Sequence, residues 1–282
     1  FIIISKSGNT IETLSNTFAL KIIKKNAKNI IIISEKKNNP LYLMSKKMKL
    51  YHIEHKNYIG GRFSVLSEVG MMPACLMGVN IGKIRKNLLI HFNKKNQIFL
   101  KQSSIALANL IKNNKFRNLI FFNYVPQLNK FLYWCQQLMA ESLGKKGIGF
   151  LPSVSQAPKD HHSLLQLYLD GPRDKIFYIF KSETIGDQNI KIKNIDKNLN
   201  FLNNKSLSQI KSAQTNAFIR ILKKKNIPFR VFQIKDFNET TLGELFSYFM
   251  IETAIIGKLL NINPFDQPAV EEVKISTKKL LR

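Results

Sequence analysis

FIIISKSGNTIETLSNTFALKIIKKNAKNIIIIS, residues 1–34, is the stretch on which the fold turns. Phe1-Ile2-Ile3-Ile4 is a short β-branched apolar run, the composition of a strand buried on both faces. Ser5-Lys6-Ser7-Gly8-Asn9-Thr10 interrupts it as a turn. Ile11, Leu14, Phe18 and Ile22 then recur at spacings that put them on one apolar helix face. Ile30 to Ser34 returns to a buried strand. Strand, helix and strand in so short a span predict a βαβ unit, whose two strands run parallel.

Working outward, the small and apolar residues from Arg62 to Val79 predict a helix kinked near Pro73, and Phe99 to Ile111 predicts another. A second cycle opens with a strand over Leu119 to Val125. Leu128, Phe131, Leu132, Cys135, Leu138 and Met139 follow at helical spacing. Gly144 to Pro158 reads as a loop, with a helix starting near Asp160 and a strand over Lys175 to Phe180. Ser182 to Asn204, rich in Asn and Lys, reads as an exposed excursion. Then come a helix (Ser206 to Lys225), a strand (Phe229 to Ile234), a long helix (Leu242 to Leu260) and a closing segment led by Asn263-Pro264-Phe265-Asp266. This alternation predicts an α/β chain of two similar layered halves with parallel sheets, divided near residues 80 to 98.

The 282 residues are 44% hydrophobic and 22% charged, which excludes a disordered tail and supplies a sizeable core. Lys and Arg total 44 against 18 Asp and Glu, a formal net charge of +26. Such a charge raises nucleic acid or an anionic surface as a partner. Only 7 of the 44 are Arg, and Lys travels with Asn and Ile along the whole chain, so the excess is compositional and no specific nucleic-acid partner is expected. The two cysteines, Cys75 and Cys135, sit in apolar periodic stretches and read as core residues of a reducing, cytoplasmic protein. No apolar run approaches the roughly 18 residues of a bilayer span, so no membrane association is expected. The chain opens inside a strand without an initiator Met, and is expected to be a piece of a longer protein.

A strand ending in Ser-Lys-Ser-Gly-Asn-Thr and feeding a helix sets hydroxyls and unpaired N–H groups at a positive helix end, a good site for phosphate. Ser5, Ser7 and Thr10 can each donate to a phosphate oxygen, and Gly8 lets the backbone come close. The plainer alternative is that Ser7 or Asn9 caps the helix, with Glu12 completing the cap. Neither a Gly-x-Gly-x-x-Gly nor a Walker sequence is present, so a dinucleotide or nucleoside triphosphate is not favoured. His52-Ile53-Glu54-His55 has a metal-like spacing but no third ligand follows, and no metal site is expected.

Three further segments are Gly60-Gly61-Arg62-Phe63-Ser64-Val65-Leu66-Ser67, Glu141-Ser142-Leu143-Gly144-Lys145 and Phe265-Asp266-Gln267-Pro268-Ala269-Val270-Glu271-Glu272-Val273-Lys274. With Asp160-His161-His162-Ser163-Leu164-Leu165-Gln166 and the Ser-Lys-Ser-Gly-Asn-Thr loop, they resemble the motifs of the glucose-6-phosphate isomerase family, in the family's order from one end of the chain to the other. The resemblance implies two sugar-isomerase (SIS) type three-layer α/β/α sandwich domains with parallel sheets, the first incomplete. Residues 1–90 would be the C-terminal part of the first domain, with the phosphate loop and the Gly-Gly-Arg motif. Residues 91–282 would be the second, with a C-terminal helical segment. Family members carry a longer region ahead of this chain, including a Gly-Gly-Ser loop that also touches the phosphate.

The resemblance further implies a reversible conversion of D-glucose 6-phosphate to D-fructose 6-phosphate in glycolysis and gluconeogenesis. The ring opens and a proton moves through a cis-enediol, with no metal or organic cofactor. Glu141 would be the base serving both carbons; partial burial is the usual way a protein strengthens such a carboxylate. Gln137, four residues earlier and so on the same helix face, would contact substrate. Arg62, aimed by Gly60-Gly61, would stabilise the enediolate, with Gly61 beside the substrate. His162 would handle the ring-opening proton, since an imidazole titrates near neutrality, and would reach the site from the other subunit of a homodimer. Lys274 and Gln267 would contact the sugar, seven residues apart and on a similar helix face. Ser5, Lys6, Ser7 and Thr10 would hold the phosphate. Without the resemblance, Glu141, Arg62, His162 and Lys274 are ordinary solvated residues, and the Ser5 to Thr10 loop stays open between phosphate site and helix cap. Two alternatives stay open: a non-catalytic SIS module that binds a sugar phosphate, and an inactive piece of the isomerase.

Overall fold

Ile2–Ile4 forms β1, and its partner is the strand expected from the first stretch, β2 at Ile31–Ser34, paired parallel with Ile3 opposite Ile32. In the computed structural model, residues 1–113, 115–182, 189–191 and 197–281 are described. They divide into two compact units, Phe1–Ile90 with Leu242–Met250, and His91–Thr241 with Ile251–Arg282.

In the first unit the elements after β1 are α1 (Ile11–Ala19), β2, α2 (Pro40–Met48), β3 (Tyr51–Glu54), a 3-10 turn (Gly61–Leu66), α3 (Glu68–Leu76) and α4 (Ile81–Arg85). The sheet is parallel throughout in the order β1-β2-β3. Ile3, Ile30, Ile32, Leu41 and Leu50 form its core, with Leu14 and Met44 packed against them. β2 is buried because helices on either face of a parallel sheet leave its strands no wet side. Of the four apolar positions predicted to share one helix face, Leu14 reaches the core, whereas Phe18 is 61% exposed. The helix stops at Ala19, and Lys21 takes a left-handed φ of 51°, so Ile22 meets the core from a turn. The segment expected as one helix kinked at Pro73 breaks instead at Ser67. That residue is extended, ends the 3-10 turn and caps α3 by accepting from Val69 N, while Pro73 lies inside α3. Cys75 is exposed, against its reading as a core residue, and Cys135 is buried as expected.

In the second unit come α5 (Lys94–Lys112), β4 (Asn118–Asn123), α6 (Asn129–Leu143), β5 (Leu151–Gln156), α7 (Leu165–Asp170), β6 (Lys175–Ser182), α8 (Leu207–Lys224), β7 (Phe229–Ile234) and α10 (Pro268–Leu280), while α9 (Glu239–Leu259) is divided, its Leu242–Met250 part counting with the first unit. The sheet order is β5-β4-β6-β7, again all parallel. Phe122, Phe177 and Ile179 are fully buried between strands and helices, with Phe218 and Leu222 of α8 over them. β5 is a departure from the expected loop. Its Leu-Pro-Ser-Val-Ser-Gln sequence is tolerated because it is an edge strand, where a Pro costs little. The helix expected from Asp160 is a 3-10 turn (Lys159–His161) with α7 starting only at Leu165. Of the expected excursion at 182–204, residues 183–188 and 192–196 lie outside the described residues; a 3-10 turn covers Lys197–Leu202. Among the described residues no helix is long and apolar enough to cross a membrane.

Candidate functional site

In the first unit the loop after β1 is built around its hydroxyls. Ser5 is buried, its N–H continues the ladder to Ile33 O at 3.1 Å, and its Oγ lies 2.7 Å from Thr10 Oγ1. Thr10 is the N-cap of α1 yet makes no side-chain cap bond, and Ser7 accepts from Asn9 N rather than from the helix. The capping alternative therefore does not describe this loop: side chains leave the first N–H groups of α1 to another acceptor. Lys6 Nζ stands 3.8 Å from Glu35. Gly8 has φ 64°, and a Cβ there would lie 1.8 Å from Asn39 Oδ1, the oxygen that caps α2 through Tyr42 N. Gly8→Ala should accordingly cost about 1–3 kcal/mol of stability, read as a lowered Tm and denaturant midpoint; an unchanged midpoint would mean the loop is not held in this form.

Arg62 follows Gly61 in the 3-10 turn and is only 3% exposed, its guanidinium carbon 5.4 Å from the Phe63 ring centroid. A surface arginine after a glycine turn is thus not what the structure contains. Neither Gly60 nor Gly61 has positive φ, so no left-handed turn aims the side chain. A Cβ on Gly61 would meet no atom within 4 Å, which leaves room for a ligand to approach its backbone.

In the second unit Phe131, Leu132, Cys135, Leu138, Met139 and Ser142 bury one side of α6 and so set its rotation. Gln137 and Glu141 fall on the other side, with Gln137 Nε2 donating to Glu141 Oε1 at 3.0 Å. Glu141 is half-buried at the wall of a cavity of about 740 Å³ that Gln267 also lines. The cavity is held by Lys145, just past α6. Its ammonium donates to Asn263 O, to Asp266 O at 2.6 Å and to Asp266 Oδ1 at 2.6 Å, tying the Glu141 motif to the loop ahead of α10. Sequence reading quoted both motifs and gave Lys145 no role.

The two adjacent histidines part company. His161 stacks on Phe122, with centroids 5.6 Å apart and planes 10° from parallel, and its Nε2 lies 2.6 Å from Tyr124 Oη. Burial pushes the Tyr124 phenol up and His161 down. Burial thus favours the uncharged form of both partners of this hydrogen bond. His162, the last residue of the same turn, is exposed. Asp160 fixes the turn by accepting from Ser155 Oγ (2.8 Å), Gln156 N (2.7 Å) and Ser163 Oγ (3.0 Å). Burial alone would raise its carboxyl, but these bonds hold it below its ordinary value.

Gln267 lies at the N-cap of α10 with φ −158°, outside the helix, so the helical-face argument linking it to Lys274 fails. Lys274 sits on α10, no residue of which is buried, and pairs with Glu271 at 2.7 Å. The structure therefore gathers Glu141, Gln137 and Gln267, and does not bring Lys274 to their cavity wall. His52 lies on β3 beside Ser34 Oγ (3.0 Å), and His55 bonds Glu68, so the metal-like pair is engaged elsewhere. Among the described residues no group of three His, Cys, Asp or Glu side chains could hold a metal ion.

In the second unit a carboxylate stands on the wall of a roomy cavity, the setting for proton transfer on a small molecule; in the first, the uncapped end of α1 offers N–H groups to an anion. No family model matches the chain. It is 34% identical to the glucose-6-phosphate isomerase of Mycoplasmopsis pulmonis over 295 residues, covering 99% of the chain and 68% of that protein. It is 36% identical to the probable glucose-6-phosphate isomerase of Methanococcus maripaludis over 278 residues, 95% of the chain and 62% of that protein. The solved structure of a hypothetical protein from Thermus thermophilus superposes with a TM-score of 0.88 at 26% identity, over 99% of this chain and 71% of that one. A glucose-6-phosphate isomerase structure from Chlamydia trachomatis gives a TM-score of 0.76 at 18% identity, over 99% of this chain and 58% of that one, and so speaks for the fold alone. The chain thus spans about 58 to 71% of the length of these relatives.

Proposed function

This chain belongs to the glucose-6-phosphate isomerase family, and on that premise we propose that the protein interconverts D-glucose 6-phosphate and D-fructose 6-phosphate. The observation that carries the reading is Glu141, half-buried at the wall of a cavity that Gln267 also lines, with Gln137 bonded to it. Its carboxylate takes the C2 proton of the open-chain aldose. The C2–H electrons become the C1–C2 double bond as the C1 carbonyl pair moves onto O1; the O2 proton passes to O1, and as the C2–O2 double bond forms C1 takes the proton back from the carboxyl. Arg62 supplies a charge that does not titrate near neutrality and stabilises the enediolate oxygen. Ser5, Lys6, Ser7 and Thr10, with the first N–H groups of α1, hold the phosphate. Gln267, which lines the cavity, contacts the sugar oxygens.

On this reading the first unit is the C-terminal part of one sugar-isomerase-type domain and the second unit is the next. The protein is a cytoplasmic homodimer of the glycolytic and gluconeogenic step, in which the partner's His162 opens the ring. The exposure of His162, on a turn held rigid by Asp160, supports that last role. It makes a specific prediction. Glu141→Gln and His162→Ala proteins, each inactive alone, should regain about a quarter of the native activity when unfolded and refolded together, because half the dimers are hybrids with one intact site. No recovery, with hybrids shown to form, would put both residues of a site on one subunit.

The activity itself is tested with fructose 6-phosphate as substrate and glucose 6-phosphate read through an NADP-linked dehydrogenase. Turnover that the Glu141→Gln control lacks supports the proposal. Absence of turnover in both this chain and an N-terminally extended version would refute it and favour a binding module.

A further inference from the structure

His55 has no part in the chemistry above, yet it is one of the most constrained side chains of the first unit. It follows β3 directly, its N–H extends the ladder to Ser34 O at 2.9 Å, and its side chain is fully buried. Nδ1 is bonded to Glu68 Oε1, and Nε2 lies 3.1 Å from Ile59 O. A carboxylate and a backbone carbonyl can only accept. Both ring nitrogens therefore face acceptors, Glu68 at one end and the Ile59 carbonyl at the other, an arrangement that a ring with a proton on each nitrogen would satisfy.

The two acceptors stand at the two ends of one short arc. Ile59 immediately precedes Gly60, and Glu68 is the first residue of α3, directly after Ser67. Between them Phe63 N bonds Gly60 O (3.0 Å), Ser64 Oγ bonds Gly61 O (2.6 Å), and Ser67 Oγ bonds Ser64 O (2.7 Å). Arg62 rides on this arc. We propose that His55 and Glu68 are positioning residues that clasp the Ile59–Glu68 arc at both ends and thereby fix where Arg62 presents its charge. The proposal rests on the reading of Arg62 as the group that stabilises the enediolate. A planar ring with one proton aimed at each end of the arc sets their separation in a way no single hydrogen bond does. Glu54 and Lys56, its charged neighbours along the chain, pair with each other at 3.3 Å rather than with the ring.

Glu68→Gln tests it, since the amide keeps the volume and an acceptor oxygen while removing the counter-charge. In protein labelled with ¹⁵N-histidine at neutral pH, the two His55 ring nitrogens should both show imidazolium shifts. In Glu68→Gln they should separate into those of a neutral ring, and the Arg62 Nε–Hε resonance should move; neither readout needs turnover. In an active enzyme, Glu68→Gln should lower kcat by about ten- to a hundredfold with KM within about twofold. The same change in an Arg62→Ala background should lower it no further. Glu68→Asp, which keeps the charge, should restore part of the loss. A neutral His55 ring in the native protein overturns the clasp, as does an equal kcat loss with and without Arg62. An inactive native enzyme would instead count against the isomerase reading and leave the resonance tests to decide the clasp.

Discussion

Glu141→Gln should lower kcat by about three orders of magnitude while KM stays near its native value, the loss expected when a general base is removed and its shape kept. The amide preserves the volume at the cavity wall and can still bond Gln137, which donates to Oε1 across 3.0 Å. What it loses is the lone pair that accepts the carbon-bound proton. On the proposed reading the phosphate and hydroxyl contacts lie on other residues, so ground-state binding should be kept and the effect should fall on the chemical step. A second measurement isolates that step. In deuterated water the native enzyme should wash solvent deuterium into C2 of glucose 6-phosphate, and Glu141→Gln should not, even over long incubation. Retained exchange with slowed turnover would move the base to another residue and leave Glu141 a role in orienting the sugar. Glu141→Asp should sit between the two, because the retracted carboxylate keeps its chemistry and loses its reach.

Of the strands described, β1, β2, β4, β6 and β7 were legible because each carries an apolar run: Ile in β1 and β2, aromatic and branched residues in the other three. β3 and β5 were not, for one shared reason. Both lack an apolar run: Tyr51-His52-Ile53-Glu54 and a segment holding Pro152 and two serines suffice where a strand is paired on a single side, whereas β1 and β7, edge strands too, keep their apolar runs. The break at Ser67 was concealed by Pro73, the louder signal, although a Ser followed by Glu68 is itself a helix start. Of the candidate site, the Ser5 to Thr10 loop was legible from chemistry alone. Glu141, Arg62 and His162 stood out only through resemblance to known motifs, since burial of Arg62 and exposure of His162 depend on distant neighbours. The latch between Lys145 and Asp266 spans 121 residues, and no local pattern announces it. The same holds for His161, whose direction is chosen by Phe122 and Tyr124 on the strand opposite rather than by anything in its own segment.

Arg62→Ala should lower kcat by about two to three orders of magnitude, the cost of removing one group aimed at a developing oxyanion. The argument turns on timing. The open-chain sugar is uncharged near C1 and C2, and the enediolate places negative charge there only as the proton leaves. A fixed cation is then worth little in the ground state and much at the barrier, so kcat and kcat/KM should fall together. Burial increases the effect: with Arg62 only 3% exposed, little water stands by to take over its role. Burial also explains why Arg62→Lys should not rescue. A lysine ammonium is more strongly hydrated, loses its proton more readily when desolvated, and lacks the planar fork that addresses two oxygens at once. The coupled assay gives kcat and KM for both variants. A rise in KM with kcat preserved would make Arg62 a ground-state anchor for the sugar phosphate, and the enediolate would then need its stabilising charge from elsewhere. Since Arg62 is carried on a turn whose hydrogen bonds run through Gly60, Gly61 and Ser64, the same loss of kcat should follow, to a smaller degree, from Ser64→Ala, which removes the 2.6 Å bond to Gly61 O without touching the charge.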